Sequence, residues 1–220
     1  MIYYERMLEE RIVEALEPGK VVLIVGARRV GKTVLLQKIL EQSPEPYLLL
    51  NGEDFDAQKV LEKTSISRYR NLIGSHRLFI IDEAQKIENI GNVCKLIVDN
   101  LPDVKVLLTG SSAFDLKNRF GEPLTGRKKT FTLFPLSQAE FSKKENLVET
   151  RANLEGKMLF GSYPEVWQLR YHAQRIGYLK ELAEDYLLKD ILAMDGIRNS
   201  SKIRKLLRLI AFQIGKDVSY

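Results

Sequence analysis

Cysteine is almost missing from this 220-residue chain: Cys94 stands alone. That excludes an internal disulfide framework and a cysteine cage for a metal. Histidine is nearly as scarce, and His76 and His172 lie far apart, which argues against a histidine-rich metal site. No apolar run approaches the roughly 20 residues that a membrane-spanning helix needs, so no membrane contact is expected. Internal repeats and low-complexity tracts are also lacking. The first ten residues, Met1 to Glu10, mix charges with apolar groups and do not read as a signal peptide. A reducing cytoplasm is the expected setting. What remains is an ordinary globular composition, 45% hydrophobic and 29% charged. That is enough for one sizeable core, or a core with a smaller satellite domain.

The net charge of +5 is unevenly placed. Residues 197–220 hold Arg198, Lys202, Arg204, Lys205, Arg208 and Lys216 against one acid, Asp217, and the rest of the chain is balanced.

The chain is organised around one stretch, Gly26-Ala27-Arg28-Arg29-Val30-Gly31-Lys32-Thr33, with Val34 next to it. It fills every fixed position of the Walker A pattern. The preceding Val21–Val25 run suits a buried parallel strand. After it, Leu35, Leu36 and Ile39 recur at helical spacing. Strand, glycine loop and helix form the context in which this pattern acts as a phosphate cradle. Glycines at 26 and 31 let successive N–H groups turn inward, and the helix start adds its own free N–H groups. Lys32 is placed to reach the β- and γ-phosphates, and Thr33 to ligate Mg²⁺. Arg28 and Arg29 are expected to point outward, or toward a phosphate or a neighbouring subunit.

The rest of the first half alternates strands and helices. A helix is predicted over 4–16, ended by Glu17-Pro18-Gly19. A helix to about Gln42, a strand at Tyr47–Leu50, one or two short helices within 54–74 and a strand at Arg77–Asp82 follow. A helix near Ile90–Asn100 and a strand at Val104–Thr109 complete the pattern. This rhythm predicts a doubly wound parallel α/β sheet, which binds ligands beyond the carboxyl ends of its strands. From Ser137 onward the pattern is helical, starting with a capping box at Ser137-Gln-Ala-Glu140. Gly161-Ser-Tyr-Pro164 is a sharp break, and a last helix is expected from about Ser200 to Ile214.

Asp82, ending an apolar strand, fits the acid that orients Mg²⁺, and Glu83 beside it fits a general base for an attacking water. Those two acids could also simply open a helix. Thr109, Ser111 and Ser112 follow the fourth strand, where a hydroxyl could hold the lytic water, sense the γ-phosphate, or cap a helix. Arg127 in Leu124-Thr-Gly-Arg127 is a candidate arginine finger, with a solvated surface arginine as the competing reading. The guanine-reading Asn-Lys-x-Asp pattern is absent, so ATP, with ADP as its product, is favoured over GTP. Arg6 and the first helix lie near where a base could rest.

Taken together, Gly26–Thr33, Ile81-Asp-Glu-Ala-Gln85, Leu108-Thr-Gly-Ser-Ser112, Leu124–Arg127, Leu133-Phe-Pro-Leu-Ser137 with Glu140-Phe141, and Gly161-Ser-Tyr-Pro-Glu165 resemble a known group. It is the prokaryotic AAA-type P-loop ATPases described as ATP-binding proteins with a C-terminal domain of unknown function. The resemblance covers essentially the whole chain. Ala27 stands where that family often has proline, and Val34 where a second threonine is common. The resemblance implies a P-loop NTPase core with an additional-strand sheet over 1–136. It implies a helical lid over 137–197 and the start of a winged-helix region over 198–220, where the chain stops.

The function expected is Mg²⁺-dependent ATP hydrolysis that moves the lid, with a homo-oligomer if Arg127 acts between subunits. The alternative is a nucleotide-gated regulatory or nucleic-acid-binding module with little turnover. Its nucleic-acid contact would be weak and non-specific, made through the basic tail.

Overall fold

The computed structural model describes residues 3–62, 65–110, 124–187 and 200–213. Its frame is a parallel sheet of β1 (Val21–Val25), β2 (Tyr47–Asn51), β3 (Leu78–Asp82), β4 (Lys105–Gly110) and β5 (Lys128–Thr132). The order is β2-β3-β4-β1-β5, so β4 lies between β1 and β3 as the additional strand.

β1 is buried at all five positions because successive side chains enter opposite layers. Val21, Leu23 and Val25 join Phe79, Ile81, Val106 and Leu108 on one face. There they meet α3 (Phe55–Glu62), α4 (Ile66–Ile73) and α5 (Ile90–Asn100) through Leu61, Tyr69, Ile73, Val93, Cys94 and Ile97. Val22 and Ile24 join Leu78, Ile80, Leu107 and Phe131 on the other face. That face is covered by α1 (Glu9–Glu14) and α2 (Lys32–Glu41) through Ile12, Leu35, Leu36 and Ile39. Each such side chain removed from water contributes roughly 1.5–3 kcal/mol. The thiol of Cys94, fully enclosed, is pushed well above its ordinary pKa by burial.

The expected α/β sheet with helices on both faces is present, with three differences of detail. β5 was not anticipated. The first helix is shorter than predicted because residues 3–8 are drawn into tertiary contacts. The helix at 32–41 stops one residue short of Gln42, its C-cap.

Two compact units divide the chain: residues 1–154 with 162–164, and residues 155–161 with 165–220. After the sheet, the first carries α6 (Gln138–Ser142) and α7 (Leu147–Ala152). Both begin with capping boxes, at Ser137 with Glu140 and at Asn146 with Glu149. The second unit holds α8 (Leu154–Phe160) from Glu155 onward, α9 (His172–Glu181) and a π-helical extension over Leu182–Leu187. Within that unit the Arg175 guanidinium lies 5.0 Å from the Trp167 ring centre and 5.5 Å from that of Phe160. The Trp167 indole N–H donates to the Gly161 carbonyl at 2.9 Å. Of the winged-helix beginning expected at 198–220, the described residues contain one helix, α10 (Ser200–Phe212). The two residues before it and residues 214–220 lie outside them.

Candidate functional site

Parallel strands deliver their carboxyl ends to one edge, and there the three predicted clusters meet. β1 ends at Val25 and the chain passes through Gly26–Val30 into α2. Two residues of that passage take left-handed backbone, Arg29 at φ 62° and Gly31 at φ 97°. Gly26 is required by contact: a Cβ there would lie 2.4 Å from the Leu133 carbonyl oxygen. Lys32 is buried, and its ammonium donates to the carbonyls of Gly26 and Ala27, both at 3.0 Å. Ala27 and Thr33 are exposed, Val30 is buried, and Arg28, Arg29, Gly31 and Val34 are half-buried.

The Thr33 hydroxyl donates to Asp82 Oδ2 at 2.9 Å, closing a gap of 49 positions. The other Asp82 oxygen accepts from the Thr109 hydroxyl and, at 3.2 Å, from the Glu83 N–H. That N–H also reaches Thr109 Oγ1 at 3.1 Å. Thr109 is fully buried, so its hydroxyl is engaged between Asp82 and Glu83 rather than exposed to a water. Glu83 takes left-handed backbone at φ 52°, a conformation of order 1–3 kcal/mol in cost for a side chain of this kind. Its carboxylate accepts a hydrogen bond from the Gln85 amide, a partner not anticipated from the sequence. Ser111 and Ser112 lie outside the described residues.

Gly52 holds this turn from the side. Its N–H donates to the Asp82 carbonyl at 2.7 Å, and a Cβ would sit 2.4 Å from the Glu83 carbonyl oxygen. Gly52→Ala is therefore expected to destabilise the fold by about 1–3 kcal/mol in urea melts. Gly177→Ala, in α9 with nothing within 4 Å of the added carbon, should be neutral or stabilising by up to about 1 kcal/mol.

Among the described candidates, Arg127 stands apart from this cluster. It precedes β5, its carbonyl accepts from Val21 N–H at 2.8 Å, and its guanidinium pairs with Asp99 of α5. Val21 begins β1, so Arg127 stands at the amino edge of the sheet, a whole strand (roughly 16 Å) from the loop at the other end. Within one chain the arginine therefore stands away from the loop, because the strand that follows it, not the loop before it, runs toward the carboxyl edge.

Arg6 is likewise not free to meet a base. It is 5% exposed, and its guanidinium donates to Val30 O at 2.8 Å, Phe134 O at 2.5 Å and Glu140 Oε1 at 3.0 Å. Burial tends to raise the Glu140 pKa, but N–H groups of Ser137 and Met7 and the Arg6 charge overcome this and hold it below its ordinary value.

Thr33 and Asp82 offer adjacent hard oxygens of the kind Mg²⁺ takes. No group of three or more histidine, cysteine or acidic side chains is poised for a metal among the described residues. None of the described helices is long and apolar enough to cross a membrane.

Comparison with known proteins agrees with this architecture. The chain is 24% identical to an uncharacterised protein of Methanocaldococcus jannaschii over 97% of its own length and 51% of that protein. It is 25% identical to one of Haemophilus influenzae over its full length and 58% of that protein. The chain thus spans a little over half the length of these relatives. Among solved structures it resembles a Walker-type ATPase of Pyrococcus abyssi (TM-score 0.54, 18% identity, 96% of this chain and 75% of that one). It also resembles a signal transduction ATPase with numerous domains, bearing a tetratricopeptide repeat sensor, from Pyrococcus horikoshii (TM-score 0.52, 17% identity, 87% and 34%). Both likenesses are of fold, that of P-loop nucleotide-binding proteins. Residues 151–220 match a domain of unknown function, and residues 18–142, more than half of the chain, match an AAA domain: the chain belongs to that AAA family.

Proposed function

We propose that the chain binds Mg·ATP at Gly26–Thr33 and hydrolyses it, coupling turnover to movement of the segment 137–197 as a lid. The observation that carries this reading is the hydrogen-bonded run from Thr33 through Asp82 to Thr109 and the Glu83 N–H. It joins the helix start behind the loop to the two acids at the end of β3 and to a hydroxyl on the neighbouring β4.

In this reading the N–H groups of residues 26–34 surround the phosphates, and Lys32 turns from its two loop carbonyls to the β- and γ-oxygens. Thr33 and Asp82 hold Mg²⁺, which supplies charge neutralisation on the phosphate oxygens. Glu83 accepts a proton from the water that attacks the γ-phosphorus, and the bond from that phosphorus to the bridging oxygen of ADP breaks. Thr109 acts as a positioning residue, since it grips Asp82 and the Glu83 backbone instead of a water. Glu83→Gln should retain Mg·ATP affinity within about twofold while turnover falls on the order of 10²- to 10⁴-fold. Wild-type turnover in that variant would sink the assignment of the base. Arg127 has no part within one chain. Specific activity that rises with protein concentration and drops in Arg127→Ala would place it across two copies.

A second reading, nucleic-acid contact, draws on exposed Lys202, Arg204, Lys205 and Arg208 along α10. It requires binding that weakens steeply with salt.

A further inference from the structure

The Gly26–Val30 loop is held at its entry by Leu133, more than 100 positions away, and at its exit by Arg6, which itself binds the residue after Leu133. At its entry, Gly26 lies against the Leu133 carbonyl so closely that no side chain fits between, and Leu133 N–H donates to Val25 O at 2.7 Å. At its exit, the Val30 carbonyl, one residue before the left-handed Gly31 that starts α2, accepts from Arg6. The same guanidinium donates to the Phe134 carbonyl, the residue after Leu133, and pairs with Glu140. Glu140 is in turn held by N–H groups of Met7 at 2.9 Å and Ser137 at 2.8 Å, the latter through the capping box of α6. Both side chains of the pair are 5–6% exposed.

We infer that Arg6 is a positioning residue for the nucleotide: through Val30 it fixes the turn that aims the N–H groups of residues 31–33, with Glu140 fixing Arg6. A planar guanidinium suits the task because one rigid group must face three acceptors at once. The contact is made to a backbone carbonyl of the loop, so its effect on ligand is transmitted through the backbone. A hydrogen bond to Val30 O also sets the orientation of the peptide plane between Val30 and Gly31, hence the direction of the Gly31 N–H.

The inference rests on the reading of Gly26–Thr33 as the nucleotide site, and its test separates the two. Mg·ATP affinity is measured by calorimetry for wild type, Lys32→Ala, Arg6→Ala, Arg6→Lys and Glu140→Gln, each under conditions where urea titration shows it fully folded. Amide hydrogen exchange is followed over 26–33 and, as an internal reference, over β3. The expected result is an affinity loss on the order of 10- to 100-fold in Arg6→Ala, the effect of losing about one hydrogen bond to a charged group. Arg6→Lys, which can still reach one carbonyl, and Glu140→Gln, whose single amide oxygen can still accept from Arg6 and Met7 but not also from Ser137, should fall between. Exchange should quicken over 26–33 and stay unchanged over β3. If Arg6→Ala does not fold, the other two variants carry the comparison. Lower stability with wild-type affinity and unchanged loop exchange in the folded variants would make the pair merely structural and overturn the inference. A wild-type chain that fails to bind Mg·ATP would remove the site reading as well. Wild-type binding that is lost in Lys32→Ala but intact in the Arg6 variants would sink this inference alone.

Discussion

Lys32→Ala is expected to reduce Mg·ATP affinity on the order of 10²-fold and to bring hydrolysis to background. The ammonium is buried and donates to the Gly26 and Ala27 carbonyls, both at 3.0 Å. A hydrogen bond to a charged group contributes about 1.5–3 kcal/mol, and this lysine is placed to serve two phosphates. The fold should suffer less, by about 1 kcal/mol, because the Gly26 and Ala27 carbonyls lose a donor that water can partly replace. Calorimetric titration with Mg·ATP, beside a urea melt, distinguishes these effects. An alanine variant that binds as tightly as wild type would refute the assignment of the loop.

The largest expected effect on stability comes from Phe79→Ala, at about 3–5 kcal/mol. Phe79 is fully buried in β3, in register between Leu48 of β2 and Val106 of β4. It packs among the residues that seat α4 and α5 on the sheet. Helices fixed on both sides leave little room for the layer to collapse into the space vacated by the ring. Against a total of roughly 5–15 kcal/mol, such a loss is a large fraction. For a chain of this size it corresponds to a fall of about 6–20 °C in Tm. Met158→Ala, at an 80% exposed position, should change stability by less than about 0.5 kcal/mol in the same scan. A Phe79 variant melting within a degree or two of wild type would contradict the packing described.

What was legible in the sequence follows from where a local pattern suffices. β1, β3 and β4 are near-continuous apolar runs because both faces are covered, and α5 shows its inward face at helical spacing, so its range of 90–100 agrees with the structure. The meeting of Thr33, Asp82 and Thr109 was legible because parallel strands all end at one edge. β5 was not, since Lys128-Lys129-Thr130-Phe131-Thr132 buries only Phe131 and is an edge strand protected by charge rather than announced by hydrophobicity. Residues 4–8 carry an amphipathic helical pattern, yet the three hydrogen bonds of Arg6 outweigh one more turn of helix. That competition depends on Glu140, 134 positions away, and no local window contains both. The position of Arg127 was hidden for a related reason: its neighbours in sequence name a motif, but only the strand after it tells at which end of the sheet it stands.

The strand order also sets a timetable for the growing chain. β1 emerges early, but both of its neighbours, β4 and β5, come from residues 105–132. At roughly 5–20 residues per second of translation, Val21–Val25 waits on the order of 5–20 s for partners on either side. During that interval a bare, β-prone apolar pentapeptide is presented to the cell, and the cradle that follows it has no floor. Ribosome pausing or a premature stop before residue 132 therefore yields a nascent chain that is both sticky and unable to hold nucleotide, and completion of β5 is the step that ends this exposure.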